Sequence, residues 1–222
     1  MGDLSKLDVF VDLCAQREYL NVDSPSCCVN ARDAARNVKH MMAFARWTKA
    51  PVIACVDARR RNDICLDLPR PLDERDPLRS KVGFTLLPSH TLVESDNCLS
   101  VPLDLLQRTQ QAIFTKNHRD PFSNPKMDRL LTEMPARRFV IFGVSTEVSV
   151  RLLALGLLRR ARQVTIIHDA CGSFNPEEAA MSLRQLDVKG CKLATACDFL
   201  REAMISEGAK RRGRVRSRRW VA

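Results

Sequence analysis

The sequence predicts an α/β fold, a three-layer doubly wound domain built on a six-stranded parallel sheet. Two observations predict it. Six apolar runs of strand length alternate with segments whose apolar residues recur at helical spacing, and right-handed crossovers pack such a chain into one parallel sheet. The 222 residues, 45% of them hydrophobic, suffice for one sizeable core, and no linker-like stretch divides the middle of the chain.

The first strand is DVFVDL, residues 8–13. From Asn30, the segment NARDAARNVKHMMAFARW places Ala34, Ala35, Val38, Met41, Met42 and Ala45 on one helical stripe. PVIACVD (51–57) is the second strand, with Pro51 at its start where no ladder donor is lost. Residues 59–80, rich in Arg, Asp and Pro, read as a long surface loop near a site. FTLL and TLVES suggest a hairpin-like excursion, and PLDLL a short helix. QQAIFTK (110–116) is the third strand. NPKMDRLLTEM follows as a helix capped by Asn124 with Pro125 in its first turn. FVIFGV (139–144), a helix over 146–160, VTIIHD, a helix in NPEEAAMSLRQLD, CKLAT and a last helix to about Ile205 complete the alternation.

The net charge of +10 is concentrated at one end. Lys210, Arg211, Arg212, Arg214, Arg216, Arg218 and Arg219 supply seven of these charges, which leaves +3 on residues 1–209. The expected organisation is one domain over residues 1–207 and a disordered basic tail over 208–222, suited to non-specific polyanion binding. Neither an aromatic platform nor a recognition motif accompanies it. The nine cysteines contain no C-x-x-C pair, and the four histidines are scattered, so neither a disulfide framework nor a zinc site is expected. No apolar run reaches membrane-spanning length, and MGDLSKLDVF lacks a basic-then-apolar leader, so the expectation is a cytoplasmic protein without membrane attachment.

In a doubly wound sheet the site lies at the carboxyl ends of the strands. Those ends bring forward Asp12, Cys14, Lys116 and Ser149. Ser149 stands in the first turn of a helix after a buried strand, a common place for a nucleophile. A lysine beside a hydroxyl or thiol suits nucleophilic chemistry, because an ammonium stabilises a thiolate and a desolvated ammonium loses its proton readily. The bland alternatives are a turn carboxylate, a core thiol, a surface charge and an ordinary helix residue.

The same residues resemble the isochorismatase-like, or cysteine hydrolase, family from about Leu7 to Leu200. "CAQREYL" matches with Gln16, Glu18 and Tyr19 in register, "IFTKNHRDPF" supplies Lys116, and "GVSTEVSV", "ALGLL" and "VTIIHDACGS" follow in order. The resemblance implies hydrolysis of a small amide or related C–N or ester-like substrate, and assembly as a homo-oligomer. It implies an oxyanion hole built partly on a cis peptide at Val144–Ser145. Of the family's Asp-Lys-Cys triad only Lys116 is unchanged: Ser149 takes the place of Cys and Cys14 that of Asp, with Asp12 as a deeper neighbour. In "VDARR", Arg59 takes the His place of the D-x-H metal motif, so no metal and no other cofactor is expected. Two functions remain open, a divergent hydrolase in which Ser149 or Cys14 attacks while Lys116 moves protons, and a catalytically silent binding or scaffold protein.

Overall fold

The structure, a computed structural model, describes residues 7–58, 77–96, 98–116 and 118–219. Among these, seven strands form one parallel sheet: β1 (Asp8–Leu13), β2 (Val52–Asp57), β3 (His90–Val93), β4 (Gln111–Lys116), β5 (Arg138–Val144), β6 (Val164–Gly172) and β7 (Lys192–Ala194). Their order is β3-β4-β2-β1-β5-β6-β7. The additional strand is TLV with His90, expected as part of a hairpin excursion. It pairs parallel to β4 at the sheet edge, where alternate residues stay exposed, so it lacks the continuous apolar run of the buried strands.

The helices are α1 (Arg17–Leu20), α2 (Ala31–Thr48), α3 (Leu105–Arg108), α4 (Pro125–Glu133), α5 (Arg151–Arg159), α6 (Pro176–Val188) and α7 (Ala196–Arg219). The α2 stripe read from the sequence is the buried one, and the helix stops where Lys49 adopts a left-handed φ of 58° just before Pro51. Phe10 of β1 packs on Phe44 of α2 and Phe199 of α7, which places those two helices on one face of the sheet. Crossovers that run the other way along the sheet carry α4, α5 and α6 to the opposite face. There Arg160 joins Asp128 of α4 and lies 4.2 Å over the Phe122 ring.

Asn124 caps α4 as expected, accepting the Lys126 and Met127 N–H groups at 3.0 and 3.2 Å. Its amide also donates to the Thr115 carbonyl at the end of β4. Most of the expected surface loop, with Cys65 and Arg59, lies outside the described residues. The α7 backbone continues past residue 207 into the basic segment and is helical to Arg219. Arg and Lys are good helix formers, and cations near a helix C-terminus complement its dipole. None of the described helices is long and apolar enough to cross a membrane.

Candidate active site

Crossovers leave β1 in one direction along the sheet and β5 in the other, so the strand order reverses beside β1. A pocket of about 600 Å³ opens at the carboxyl ends of the strands there. Asp57 enters it from β2, Lys116 from β4, Val144 from the end of β5, Ser145 from the residue after it, and Ser149 from the turn leading into α5. Tyr19 and Phe174 form an aromatic wall, their rings edge to face at 5.8 Å.

Asp57 and Lys116 are register partners across the β2–β4 ladder, and their side chains form an ion pair. The second Asp57 oxygen, Oδ2, accepts the Tyr19 hydroxyl at 2.8 Å. Gln16 holds the same residue by its backbone, with Oε1 accepting the Asp57 N–H at 2.7 Å. Lys116 is almost wholly buried and also donates to the His118 carbonyl at 3.1 Å. Burial alone would pull its ammonium pKa down. Its electrostatic interactions with the Cys14–Cys55 pair and with the Asp57 carboxylate outweigh burial and hold the group above the ordinary lysine value. Lys116 is held toward its charged form, which suits it to stabilising negative charge in the pocket.

Ser149 lies in a single π-helical turn, Thr146–Val150, where the Val150 N–H reaches the Ser145 carbonyl at 2.9 Å. Such bulges concentrate at functional sites. Its Oγ donates to the Arg119 carbonyl at 3.0 Å. The Val144–Ser145 peptide is cis, as the resemblance implied. Gly143 precedes it at φ 115°, so close to β1 that a Cβ would stand 2.0 Å from the Leu13 carbonyl oxygen. Two further contacts tie the turn to the end of β6: Thr146 Oγ1 donates to the Gly172 carbonyl, and Glu147 Oε1 accepts the Phe174 N–H at 2.7 Å.

The expected residues thus divide. Lys116, Ser149, Val144 and Ser145 meet in the pocket, whereas Asp12 and Cys14 do not line it. Asp12 is fully buried and paired with Lys81, and burial raises its pKa against the pull of that lysine. Cys14 adopts a φ of 47°, which ends the strand alternation and leaves its Sγ 3.6 Å from the Cys55 Sγ. Burial pushes the Cys14 thiol well up, aided by the Cys55 hydrogen bond and the Asp57 charge. Burial pushes Cys55 up as well, but the Cys14 hydrogen bond and Lys116 pull it below the ordinary thiol value.

Asp57 is the residue that sequence reasoning passed over. It was visible only as the carboxylate of "VDARR", and its signal is the adjacency of β2 and β4, which puts two strand-terminal charges side by side. Its oxygens are engaged by Lys116 and Tyr19, and among the described residues no trio of His, Cys, Asp or Glu could hold an ion, so the arrangement does not fit a metal.

No curated protein matches the sequence at a significant level. Among solved structures, an isochorismatase family protein from Desulfovibrio vulgaris subsp. vulgaris str. Hildenborough aligns with TM-score 0.69 and 15% identity, over 89% of this chain and 98% of its own. The zinc complex of the Pyrococcus horikoshii pyrazinamidase aligns with TM-score 0.67 and 18% identity, over 85% and 98%. The MAR1 ribonuclease of Caenorhabditis elegans aligns with TM-score 0.58 and 15% identity, over 88% and 79%. The family model of the isochorismatase domain matches residues 8–198, which take in every strand of the sheet and the whole pocket, and the chain belongs to that family.

Proposed function

We propose that the protein hydrolyses a small amide, or a related C–N or ester-like bond, with Ser149 as the nucleophile. The observation that carries this reading is one pocket holding a hydroxyl at a helix entry, a buried ammonium and a carboxylate. Pyrazinamidases and nicotinamidases on the same fold act on amides, which supports the substrate class. Ser149 Oγ adds to the substrate carbonyl carbon. The resulting oxyanion is received by backbone N–H groups at the helix entry and by the field of Lys116, whose charge is in place beforehand.

The test is release of ammonia or amine from a panel that includes pyrazinamide and nicotinamide. Ser149→Ala should abolish turnover, Lys116→Met should lower kcat by about 10²-fold or more, and Ser149→Cys should keep or raise it. Turnover that survives Ser149→Ala would rule the serine out.

A second reading, binding without turnover, is favoured by the Ser149 hydroxyl donating to the Arg119 carbonyl, which occupies the proton a base must take. A ligand that raises Tm but is recovered unchanged supports it. RNA belongs in the same panel, because one protein on this fold is a ribonuclease and the chain carries a net charge of +10.

A further inference from the structure

We infer that Asp57, at the end of β2, is the acid–base residue of this site, replacing the carboxylate that the family pattern places at the end of β1. The inference rests on the hydrolase reading for its chemistry. It rests on geometry for its residue. β1 offers no carboxylate to the pocket, since Cys14 turns toward Cys55 and Asp12 is held by Lys81.

β2 lies between β1 and β4, so its terminal side chain stands one strand spacing, about 4.8 Å, from β4, whereas a β1 side chain stands two spacings away. Asp57 therefore meets Lys116 directly, in register, and lines the same pocket as Ser149. Lys116 fixes one carboxylate oxygen and Tyr19 the other, while Gln16 fixes the backbone. A carboxylate has about four acceptor sites, two on each oxygen, so an oxygen that accepts one hydrogen bond is still chemically able to take a proton. Lys116, the other titratable group of the pair, is held as a cation and does not serve.

The cycle balances on this one group. As Ser149 Oγ bonds to the carbonyl carbon, its proton passes to Asp57. Asp57 then gives that proton to the nitrogen as the C–N bond breaks and the amine leaves. Water adds to the acyl ester, its proton passes to Asp57, and Asp57 returns it to Ser149 Oγ as the acid departs. Tyr19 is a positioning residue, since it acts through the Asp57 oxygen that it binds.

The experiment measures sulfonylation of Ser149 by phenylmethylsulfonyl fluoride, read by intact mass and peptide mapping, alongside amide hydrolysis. The expected result is labelling at Ser149 in the natural protein and a rate at least about 10²-fold lower in Asp57→Asn, the range for loss of a general base. Asp57→Glu should recover part of the rate, and Cys14→Ser should match the natural protein. Tyr19→Phe should shift the acid limb of the labelling pH profile while Ser149 stays the labelled residue. Thermal melts establish that each variant is folded, and Asp57→Glu, which keeps a partner for Lys116, decides the matter should Asp57→Asn unfold: a rate above that of Lys116→Met supports the assignment, and one no different from Ser149→Ala overturns it. Asp57→Asn labelling as fast as the natural chain, or a natural chain that never labels at Ser149, overturns the inference. Base-dependent labelling without hydrolysis of any amide instead overturns the proposed function and leaves Asp57 assigned.

Discussion

Lys81 and Asp12 form an ion pair from which water is excluded, their side chains 5% and 0% exposed. Removing one partner of such a pair strands the other charge, which typically costs about 3–5 kcal/mol, whereas replacing both by apolar residues is often neutral. Asp12→Ala should therefore lower stability by that amount in urea unfolding, and Asp12→Leu with Lys81→Met should return it close to the natural value. The pH dependence has an unusual sign. Burial raises the Asp12 pKa above 3.8, so the folded chain holds this proton more tightly than the unfolded one. Stability contributed by this group falls as pH rises from 3.8 through the raised value, and Asp12→Asn should flatten that component.

Cys14 should be silent toward iodoacetamide at neutral pH. The thiolate is the reactive form, and burial pushes the Cys14 thiol well up while its 1% exposure blocks access. Burial likewise pushes Cys171 up to about 12 and Cys191 up to about 11. Peptide mapping after limited labelling should find Cys98 and Cys197, both exposed, modified first among the described cysteines. Early modification of Cys14 would show that it reaches solvent from the pocket after all.

Gly143 is required twice over, by its φ of 115° and by the β1 backbone against which it lies. Gly143→Ala adds a methyl group where the nearest atoms are backbone, so it should destabilise by at least about 1 kcal/mol. The loss should appear as a lower denaturant midpoint with an unchanged slope. Gly190 is a useful control, because it too has positive φ, 98°, but a Cβ there would meet nothing within 4 Å. Gly190→Ala should cost less.

The basic end of the chain should bind polyanions without sequence preference. Seven Lys or Arg side chains within residues 210–219 release counterions when they meet phosphates, so affinity should fall steeply between low and physiological salt. Deleting residues 208–222 should weaken binding to single-stranded RNA and flatten that salt dependence. A truncated protein that binds as tightly as the full chain places the polyanion contact elsewhere.

The five inner strands were legible because strands buried on both faces must be apolar throughout, and FVIFGV or PVIACV admits little else. The Asn-Pro cap of α4 was legible for a similarly local reason. The edge strand at His90 was not, since half of its residues face solvent and it has only one partner. Strand order was not legible either, and with it went Asp57, whose meaning depends on β2 lying against β4. Cys14 was placed in the site by register with the family pattern. What moved its side chain is a single left-handed backbone angle at a non-glycine residue, which composition and periodicity do not encode.

Glu147 binds the Phe174 N–H while standing two residues before Ser149, so one carboxylate joins the aromatic wall to the nucleophile. That wall is consequently a lever as well as a surface. A substrate large enough to displace the Phe174 ring pulls on the turn that aims the hydroxyl. Bulk at the acyl group should then be sensed as misalignment, so that a graded series of acyl sizes spreads kcat more widely than KM. A series in which only KM changed would mean that the wall selects by fit alone and the linkage through Glu147 is mechanically slack.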